Sequence, residues 1–367
     1  MLIKKWVEKV LTGINYYYKT ISVFHHPAKN VVQPGYLVSF NESETDFLRL
    51  AGNSFHYQVD YSLGFRQKEV FIVPLADVTF LGNSGAIILK DKLITESVFD
   101  TQRLVKSPAF KTPRLSLLRK KTGLFTSILH LPWAEQSNYH WFLDCLPRLH
   151  YLLETVQEPI KIIVSDRMPA FQQETLNFLI KDKPNFSTLA INKHEKWRLT
   201  NFIFPSFASN HNSGYLPTAF LQKIRREIWA GYKVQDYLGK TRLFISRRKA
   251  SKRRILNEEA LMEVMKPYGF QLVFAEDLTY QQQVQLFFNA ELVVSAHGAG
   301  LTNVLFCKSC KVWEIHPANE VKSHYFMLSK ALGFEYFYTI GSEADGNLDF
   351  TVDEEAFGQK LQAFLLP

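Results

Sequence analysis

The stretch Glu291-Leu-Val-Val-Ser-Ala-His-Gly-Ala-Gly-Leu-Thr-Asn303 leaves the chain the fewest choices of fold. Its apolar run from Leu292 to Ala296 reads as a buried strand, Gly298 and Gly300 form a turn, and Leu301 to Phe306 can open a helix. A strand, a glycine turn and a helix N-terminus gather backbone N–H groups beside the positive end of a helix dipole, which receives phosphate well. An ordinary strand-to-helix connection would carry the same glycines. Asn303 stands where G-x-G-x-x-G needs its last glycine, and no G-x-x-x-x-G-K-[ST] is present, so the dinucleotide and P-loop readings lose support.

The rest of the chain repeats the strand–helix theme. Val70–Val73, Val78–Leu81 and Ala86–Leu89 are β-type runs, the last two joined as a hairpin by Gly82-Asn-Ser-Gly85, and Leu124–Leu131 is a further strand. Residues 25–68 show no assignable pattern. Asn138 to Glu154 is helical, kinked or divided by Pro147. Strand Ile160–Ser165, helix Ala170–Ile180, strand Thr200–Phe204 and a helix from Pro217 to Tyr237 follow. A second series runs through strands at 243–246, 270–274, 292–295, 311–315 and 336–340, with helices at 258–265, 280–289, 301–306, 325–332 and 354–365. Strands alternating with helices predict an α/β protein with parallel sheets covered on both faces. The expected organisation is an amphipathic helix with an irregular extension (1–68), two α/β domains (69–235 and 236–345) with a cleft between them, and a C-terminal helix (346–367).

Composition sets outer limits. A chain of 367 residues can hold two cores, and 46% hydrophobic against 21% charged residues is a globular balance. Cys145, Cys307 and Cys310 cannot build a disulfide framework, and Cys307-x-x-Cys310 lacks the second pair of a zinc site, which predicts buried thiols and a reducing compartment. No apolar run approaches the roughly 20 residues that span a bilayer. Leu2, Ile3, Trp6, Val7, Val10, Leu11 and Ile14 instead recur at helical spacing among Lys4, Lys5 and Lys9. That helix either lies on an anionic membrane through residues 1–20 or packs on its own domain or a second subunit, as in a homodimer. A formal charge of +8 favours an anionic partner: nucleic acid, acidic lipid or a nucleotide diphosphate.

Three further groups bear on chemistry. The basic run from Ser246 to Glu258 directly follows a strand, where parallel sheets line their ligand crevice. Arg247, Arg248, Arg253 and Arg254 offer planar forks to phosphate, Asn257 suits a helix N-cap, and Glu258 and Glu259 suit a first turn. Such a run is more often a solvated loop, but this one shares a strand edge with the glycine turn. In the other block, His140 and Asp144 lie four apart beside Trp141, Phe142 and Leu143, as a base with its orienting partner, a carboxylate acting alone, or a core pair. Arg148 is an anion ligand or a salt-bridge partner of Asp144. Glu314, in Val312-Trp-Glu-Ile-His316, takes ribose hydroxyls or serves structure. No Asp-x-Asp occurs in the chain, so no metal-bridged diphosphate site of that type is indicated, and arginines with a helix N-terminus would meet the leaving charge.

Four segments, taken in order, resemble glycosyltransferase family 61 over about residues 70 to 316. They are Tyr139-His-Trp-Phe-Leu-Asp-Cys-Leu-Pro-Arg-Leu149; Ile245-Ser-Arg with Arg254-x-x-Asn257-Glu258; Glu276-x-Leu278 with Gln283, Leu286, Phe287 and Ala290; and His297-Gly-Ala-Gly-Leu-Thr-Asn303 with Glu314. Gln282-Gln283 departs from the Glu-Gln frequent in the family. The resemblance implies a GT-B architecture of two Rossmann-like domains whose parallel sheets face across a cleft, the nucleotide on the C-terminal one and the acceptor approaching from the N-terminal one. Part of the last helix would cross back to the first domain. The implied activity is an inverting, metal-independent transfer from a nucleotide-sugar donor to a glycan or lipid-linked glycan acceptor, with a nucleotide diphosphate as product and no cofactor. A bacterial enzyme of surface polysaccharide (capsule or O-antigen) biosynthesis is expected, cytoplasmic and peripheral on the inner membrane. The donor site would use Ser246, Arg247, Arg254, Asn257, Glu258, His297 and the turn Gly298, Ala299, Gly300, Leu301, Thr302 and Asn303, with Glu314 on the ribose. The diphosphate would rest on Arg247, on the amides of Gly298 to Thr302 and on Arg254. Trp141 and Arg148 would stand on the acceptor side, and Asp144 or His140 would deprotonate the acceptor.

Two other readings stand beside this one. A catalytically silent scaffold would keep the fold and bind glycan without turnover. A nucleic-acid-binding protein would use Lys249 to Arg254 as a phosphate-tracking patch, though basic residues inside a strand–loop–helix unit weigh against it.

Overall fold

The computed structural model describes residues 19–53, 64–99, 117–130, 134–209, 214–237 and 240–365. The amphipathic helix expected from Leu2 to Ile14 lies outside them. Its strands are β1 (Thr20–Ile21), β2 (Asn30–Gln33), β3 (Tyr36–Val38), β4 (Phe65–Gln67), β5 (Val70–Leu81), β6 (Ala86–Leu89), β7 (Lys92–Ile94) and β8 (Leu118–Ser127). They continue with β9 (Ile160–Ser165), β10 (Phe186–Ile191), β11 (Lys196–Pro205), β12 (Thr241–Ile245), β13 (Phe270–Val273), β14 (Ala290–Ala296), β15 (Lys311–His316) and β16 (Glu335–Ile340). The longer helices are α1 (Glu42–Asn53), α2 (Ala170–Ile180), α3 (Thr218–Tyr232), α4 (Glu258–Met265), α5 (Tyr280–Phe288), α6 (His324–Leu332) and α7 (Glu354–Leu365). None is long and apolar enough to cross a membrane.

The chain packs as two units, residues 1–35 with 68–208, and residues 36–67 with 209–367. The division falls at 208/209 rather than 235/236. The cause is α3, which buries Phe220, Leu221, Ile224 and Ile228 and packs on α5 and α6 of the second unit.

The first unit has one sheet, ordered β1-β7-β6-β5-β11-β8-β9-β10 with β2 paired to β5. From β11 to β10 all neighbours are parallel, as the alternating pattern predicts. On the β5 side the pairs β11–β5, β2–β5, β5–β6 and β6–β7 are antiparallel while β1 joins β7 in parallel, which makes the sheet mixed. Tight turns such as residues 82–85 can only reverse the chain, whereas parallel neighbours need a crossover of a dozen residues or more. The expected hairpin forms in the register Leu81↔Ala86 and Phe80↔Ile87. After β8, the helical run from Asn138 does not continue as one helix: the Leu146 N–H reaches the Trp141 carbonyl five residues back, and a 3₁₀ turn follows at Leu146–Leu149. Pro147 has no N–H to give, so the α-helical ladder breaks there and a wider turn precedes it.

The second unit holds a fully parallel sheet ordered β13-β12-β14-β15-β16. Its first strand is second in the order, so the winding reverses between β12 and β14, and ligands of such sheets bind beyond the carboxyl ends at that reversal. Side chains alternate across a strand. Leu292 and Val294 of β14 and Trp313 and Ile315 of β15 join Leu261, Met265, Phe357 and Leu361 in one core layer, which turns Glu314 and His316 to the opposite face. The last helix stays in this unit, with the Trp313 ring 5.5 Å from the tilted ring of Phe357 and 5.2 Å from the edge-on ring of Phe364; the return to the first domain implied by the resemblance is corrected. Helix α1, unassigned from sequence, starts with a reciprocal cap: the Glu44 N–H donates to Asn41 Oδ1 and the Asn41 N–H to Glu44 Oε2, both at 2.9 Å. It presses Phe47 against Tyr338 (4.8 Å) and Tyr336 (5.1 Å).

Candidate functional site

The carboxyl ends of β12 and β14 bring the basic loop and the glycine turn together at the winding reversal. A Cβ built on Gly298 would overlap Nη1 and Cζ of Arg247 and lie 2.9 Å from its Nε. The guanidinium therefore rests on the bare Gly298 backbone. It is fixed from the other side, where Nε donates to the Arg253 carbonyl (3.2 Å) and Nη2 to the Lys252 carbonyl (2.9 Å). The expected helix after the turn is a 3₁₀ helix, Ala299–Phe306. The Leu301 N–H is spent on the Gly298 carbonyl (3.0 Å), which leaves the amides of Gly298, Ala299 and Gly300, rather than those up to Thr302, as first-turn donors.

Several residues expected in the donor site instead hold the loop in shape. Arg254 is committed to the buried Asp349, through Nε at 2.9 Å and Nη2 at 2.6 Å, with its own N–H 2.7 Å from Oδ1. Asn257 sits at the start of α4 but does not cap it; its amide spans to the Val352 carbonyl and to Glu354. Ser246 donates to Glu258 at 2.7 Å and both are buried. Thr302 and Asn303 are fully buried against Tyr325 and Gln283, and Leu301 is core. These side chains support the cradle and do not line it.

Arg253 takes the place that sequence gave Arg254. It adopts φ +62°, a left-handed conformation that costs a non-glycine residue about 1 kcal/mol or more. The turn sends neighbouring arginines apart, Arg254 to Asp349 and Arg253 toward Arg247 and His297. Its Nε is buried without a hydrogen-bond partner among the described residues. Burial, and then the Arg253 charge, lower the pKa of Arg247. The Arg253 charge thus reaches Arg247, with Glu276 and Asp349 as weaker opposing charges, and two cations on one loop beside bare backbone amides make a candidate anion site.

Beneath the cradle lies a polar chain. His297 Nδ1 is 2.5 Å from Glu314 Oε1, the Tyr336 hydroxyl donates to Glu314 Oε2 at 2.6 Å, and His316 Nε2 is 3.1 Å from that hydroxyl. Glu314 is 0% exposed. Both of its oxygens are engaged below the surface, so the expected ribose contact is corrected: Glu314 orients His297. Burial drives the Glu314 pKa up to about 8, against the Tyr336 hydrogen bond. Burial also drives His297 well below its usual value, helped by the positive neighbourhood of His324, His316, Lys322 and Arg253.

At the carboxyl ends of β8 and β11 in the first unit, His140 Nδ1 lies 2.6 Å from Asp144 Oδ2, as the four-residue spacing predicts. Asp144 is buried and the His140 side chain is 18% exposed, so the imidazole is the outer member of the pair. His130, which the sequence did not single out, joins them with Nε2 3.6 Å from Asp144 Oδ2 and its ring 5.0 Å from that of His140. Lys68 is close enough to feel the Asp144 charge; burial lowers its pKa to about 8. Arg148 and Trp141 are corrected. Arg148 is buried and donates to the Pro205 and Leu129 carbonyls, and the Trp141 indole donates to Thr175 inside the core. Both brace the segment that carries His140.

Two groups set two histidines and a carboxylate within 4.8 Å of one another, His130/His140/Asp144 and His297/Glu314/His316. In each, one histidine already meets the carboxylate at hydrogen-bond distance, a contact that an entering ion would have to displace. In comparisons with known proteins, residues 139–312 match the model of a family described as Glycosyltransferase 61. No curated protein matches the chain.

Proposed function

We propose that this chain, which belongs to glycosyltransferase family 61 through residues 139–312, transfers a sugar from a nucleotide-sugar to a hydroxyl acceptor with inversion at the anomeric carbon. The observation that carries this reading is the Arg247–Gly298–Arg253 cradle at the winding reversal of a parallel sheet. A diphosphate is the anion that two forked cations and a run of helix-start amides fit best. In this reading the second unit binds the donor and the first supplies the base, the division of labour of a GT-B enzyme. His140 takes the acceptor proton, and the buried Asp144 holds the imidazole and stabilises its charge. The charge of the departing diphosphate is met by Arg247, Arg253 and the amides of Gly298 to Gly300. A glycan or lipid-linked acceptor in surface polysaccharide biosynthesis, at the cytoplasmic side of a membrane, is the setting we propose.

The test is a panel of UDP-, GDP-, CDP-, ADP- and dTDP-sugars, each with candidate glycan acceptors, read as release of nucleoside diphosphate and as the anomeric configuration of the product. Turnover of one donor with inversion, lost in Arg247→Ala and in His140→Ala, is expected. Retention of configuration would defeat the proposed chemistry. Glycan binding by a folded protein that releases no diphosphate from any donor would favour a silent scaffold.

A further inference from the structure

The His297–Glu314 pair has a property that holding phosphate does not require. Glu314 is wholly buried, and the groups touching its carboxyl are an imidazole (His297 Nδ1, 2.5 Å), a phenol (Tyr336, 2.6 Å) and the edge of a second imidazole (His316 Nε2, 3.5 Å). Among the described residues no guanidinium or ammonium pairs with it; the nearby Lys322 pairs with Glu320. A carboxyl so placed keeps its proton, because an unpaired buried charge costs more than protonation. The floor beneath is sealed by Phe47 of α1, 5.1 Å from the Tyr336 ring and 5.9 Å from that of His316. On the other side of the imidazole, Nε2 has no hydrogen-bond partner among the described residues, and the next residue is Gly298, under the Arg247 guanidinium.

Building on the donor-site reading above, we propose that Glu314 and His297 form a proton relay that supplies a cation only while the diphosphate departs. As the acceptor oxygen bonds to the anomeric carbon, the bond from that carbon to the phosphate oxygen breaks, and its electron pair leaves with the diphosphate. The acceptor proton goes to the base. In the same step the Glu314 proton passes to His297 Nδ1, and the imidazolium donates through Nε2–H to a phosphate oxygen. No proton enters from or leaves to water at this pair: Glu314 becomes a carboxylate that accepts from Tyr336 and from His297. Before the step the imidazole is neutral. Its surroundings favour that form, since Arg247, Arg253, Lys322, His316 and His324 are cationic or neutral and none would stabilise a further positive charge. Tyr325 and Tyr336, the other titratable groups facing the pair, are held neutral by burial. An anion on the cradle reverses that balance. A charge that appears only with the leaving group strengthens binding in the transition state more than in the ground state, which is the condition for raising turnover.

The experiment follows the imidazole of His297 by ¹⁵N NMR in the wild-type protein. The probe is whichever of UDP, GDP, CDP, ADP and dTDP raises the melting temperature most; proton exchange with buffer is measured by calorimetry in buffers of different ionisation enthalpy. At pH 7 the relay predicts one protonated ring nitrogen in the free protein, two in the complex, and no net proton uptake. Affinity falls roughly tenfold per pH unit above the point where the pair loses its proton, near pH 8. Glu314→Gln, which has no proton to give, shows a neutral His297 in the complex and no such fall. A His297 that stays neutral in the wild-type complex, or that gains its second proton from buffer, overturns the relay while leaving the donor site standing. Absence of Arg247-dependent binding to any of the five defeats both.

Discussion

Replacing Gly298 by alanine separates the cradle from the fold that carries it. The Gly298 backbone is extended (φ 169°, ψ 171°), so alanine meets no backbone penalty. The new methyl overlaps the far end of the Arg247 side chain rather than backbone, and the guanidinium is displaced. Displacement forfeits the bonds from Arg247 to the Arg253 and Lys252 carbonyls, about 0.5–1.5 kcal/mol each. Alanine returns roughly 0.4–1 kcal/mol by restricting the unfolded chain. The fold should therefore weaken by no more than about 2.6 kcal/mol and unfold in a single transition as before. Binding should suffer far more, because a hydrogen bond to a charged group contributes about 1.5–3 kcal/mol, which is roughly 10- to 150-fold in Kd. Titration calorimetry with the best-binding nucleoside diphosphate, beside a thermal melt, measures both quantities. On an Arg247→Ala background the same change should cost almost nothing more, since both act through one guanidinium. Wild-type affinity in Gly298→Ala, or a full further loss on the Arg247→Ala background, would refute the placement of Arg247.

Three other outcomes follow from the same geometry. Arg253→Ala should lower diphosphate affinity about tenfold or more with little change in melting temperature, whereas Arg254→Ala, which takes the guanidinium from Asp349 Oδ2 and leaves the backbone N–H on Oδ1, should lower the melting temperature and leave affinity near wild type; calorimetry and melting curves tell them apart. His140→Ala and Asp144→Asn should each reduce turnover by roughly 10²–10⁴ while donor binding and melting temperature stay within reach of wild type, as steady-state kinetics would show. Glu314 binds its proton more tightly folded, near pH 8, than unfolded, so its contribution to stability is complete below its ordinary pKa and is lost as pH rises toward 8, by about 1.4 kcal/mol per pH unit. His297 and His316, held neutral by burial, act oppositely below about pH 6.5. The Glu314 term is therefore isolated as the wild-type minus Glu314→Gln difference in denaturant unfolding across pH 5–9, and a flat difference would contradict it.

Periodicity located the elements well where apolar residues repeat cleanly: β9, α2, α4 and α7 span the residues that the pattern marks. It failed on α1, whose inward face is little more than Phe47, Leu48 and Ala51; Asn41 and Glu44 were its readable signal, an Asx-x-x-Glu cap. The mixed half of the first sheet was hidden because strand pattern does not tell direction, though the short turn at residues 82–85 did for one pair. Local spacing found His140 with Asp144, and Arg247 with the glycine turn. Arg254, Asn257 and Glu314 were misassigned because their partners are remote in sequence: Asp349 and Val352 lie about a hundred residues on, and Tyr336 comes from a neighbouring strand. Arg253, one of four arginines the sequence offered as phosphate forks, was left out of the donor set in favour of Arg254 because a left-handed backbone at an arginine leaves no mark in the sequence. His130 gave no signal either, being a single histidine three residues past the end of β8.

The most direct test of a diphosphate site at the winding reversal is the melting temperature of the protein with UDP, GDP, CDP, ADP and dTDP, each beside Arg247→Ala. A ligand at 100 times its Kd stabilises the folded state by about 2.7 kcal/mol, enough to shift the transition by a readily measured amount. The cradle predicts a shift with at least one of the five that disappears in Arg247→Ala. A folded wild-type protein that shifts with none, or one whose shift survives the loss of Arg247, would contradict it.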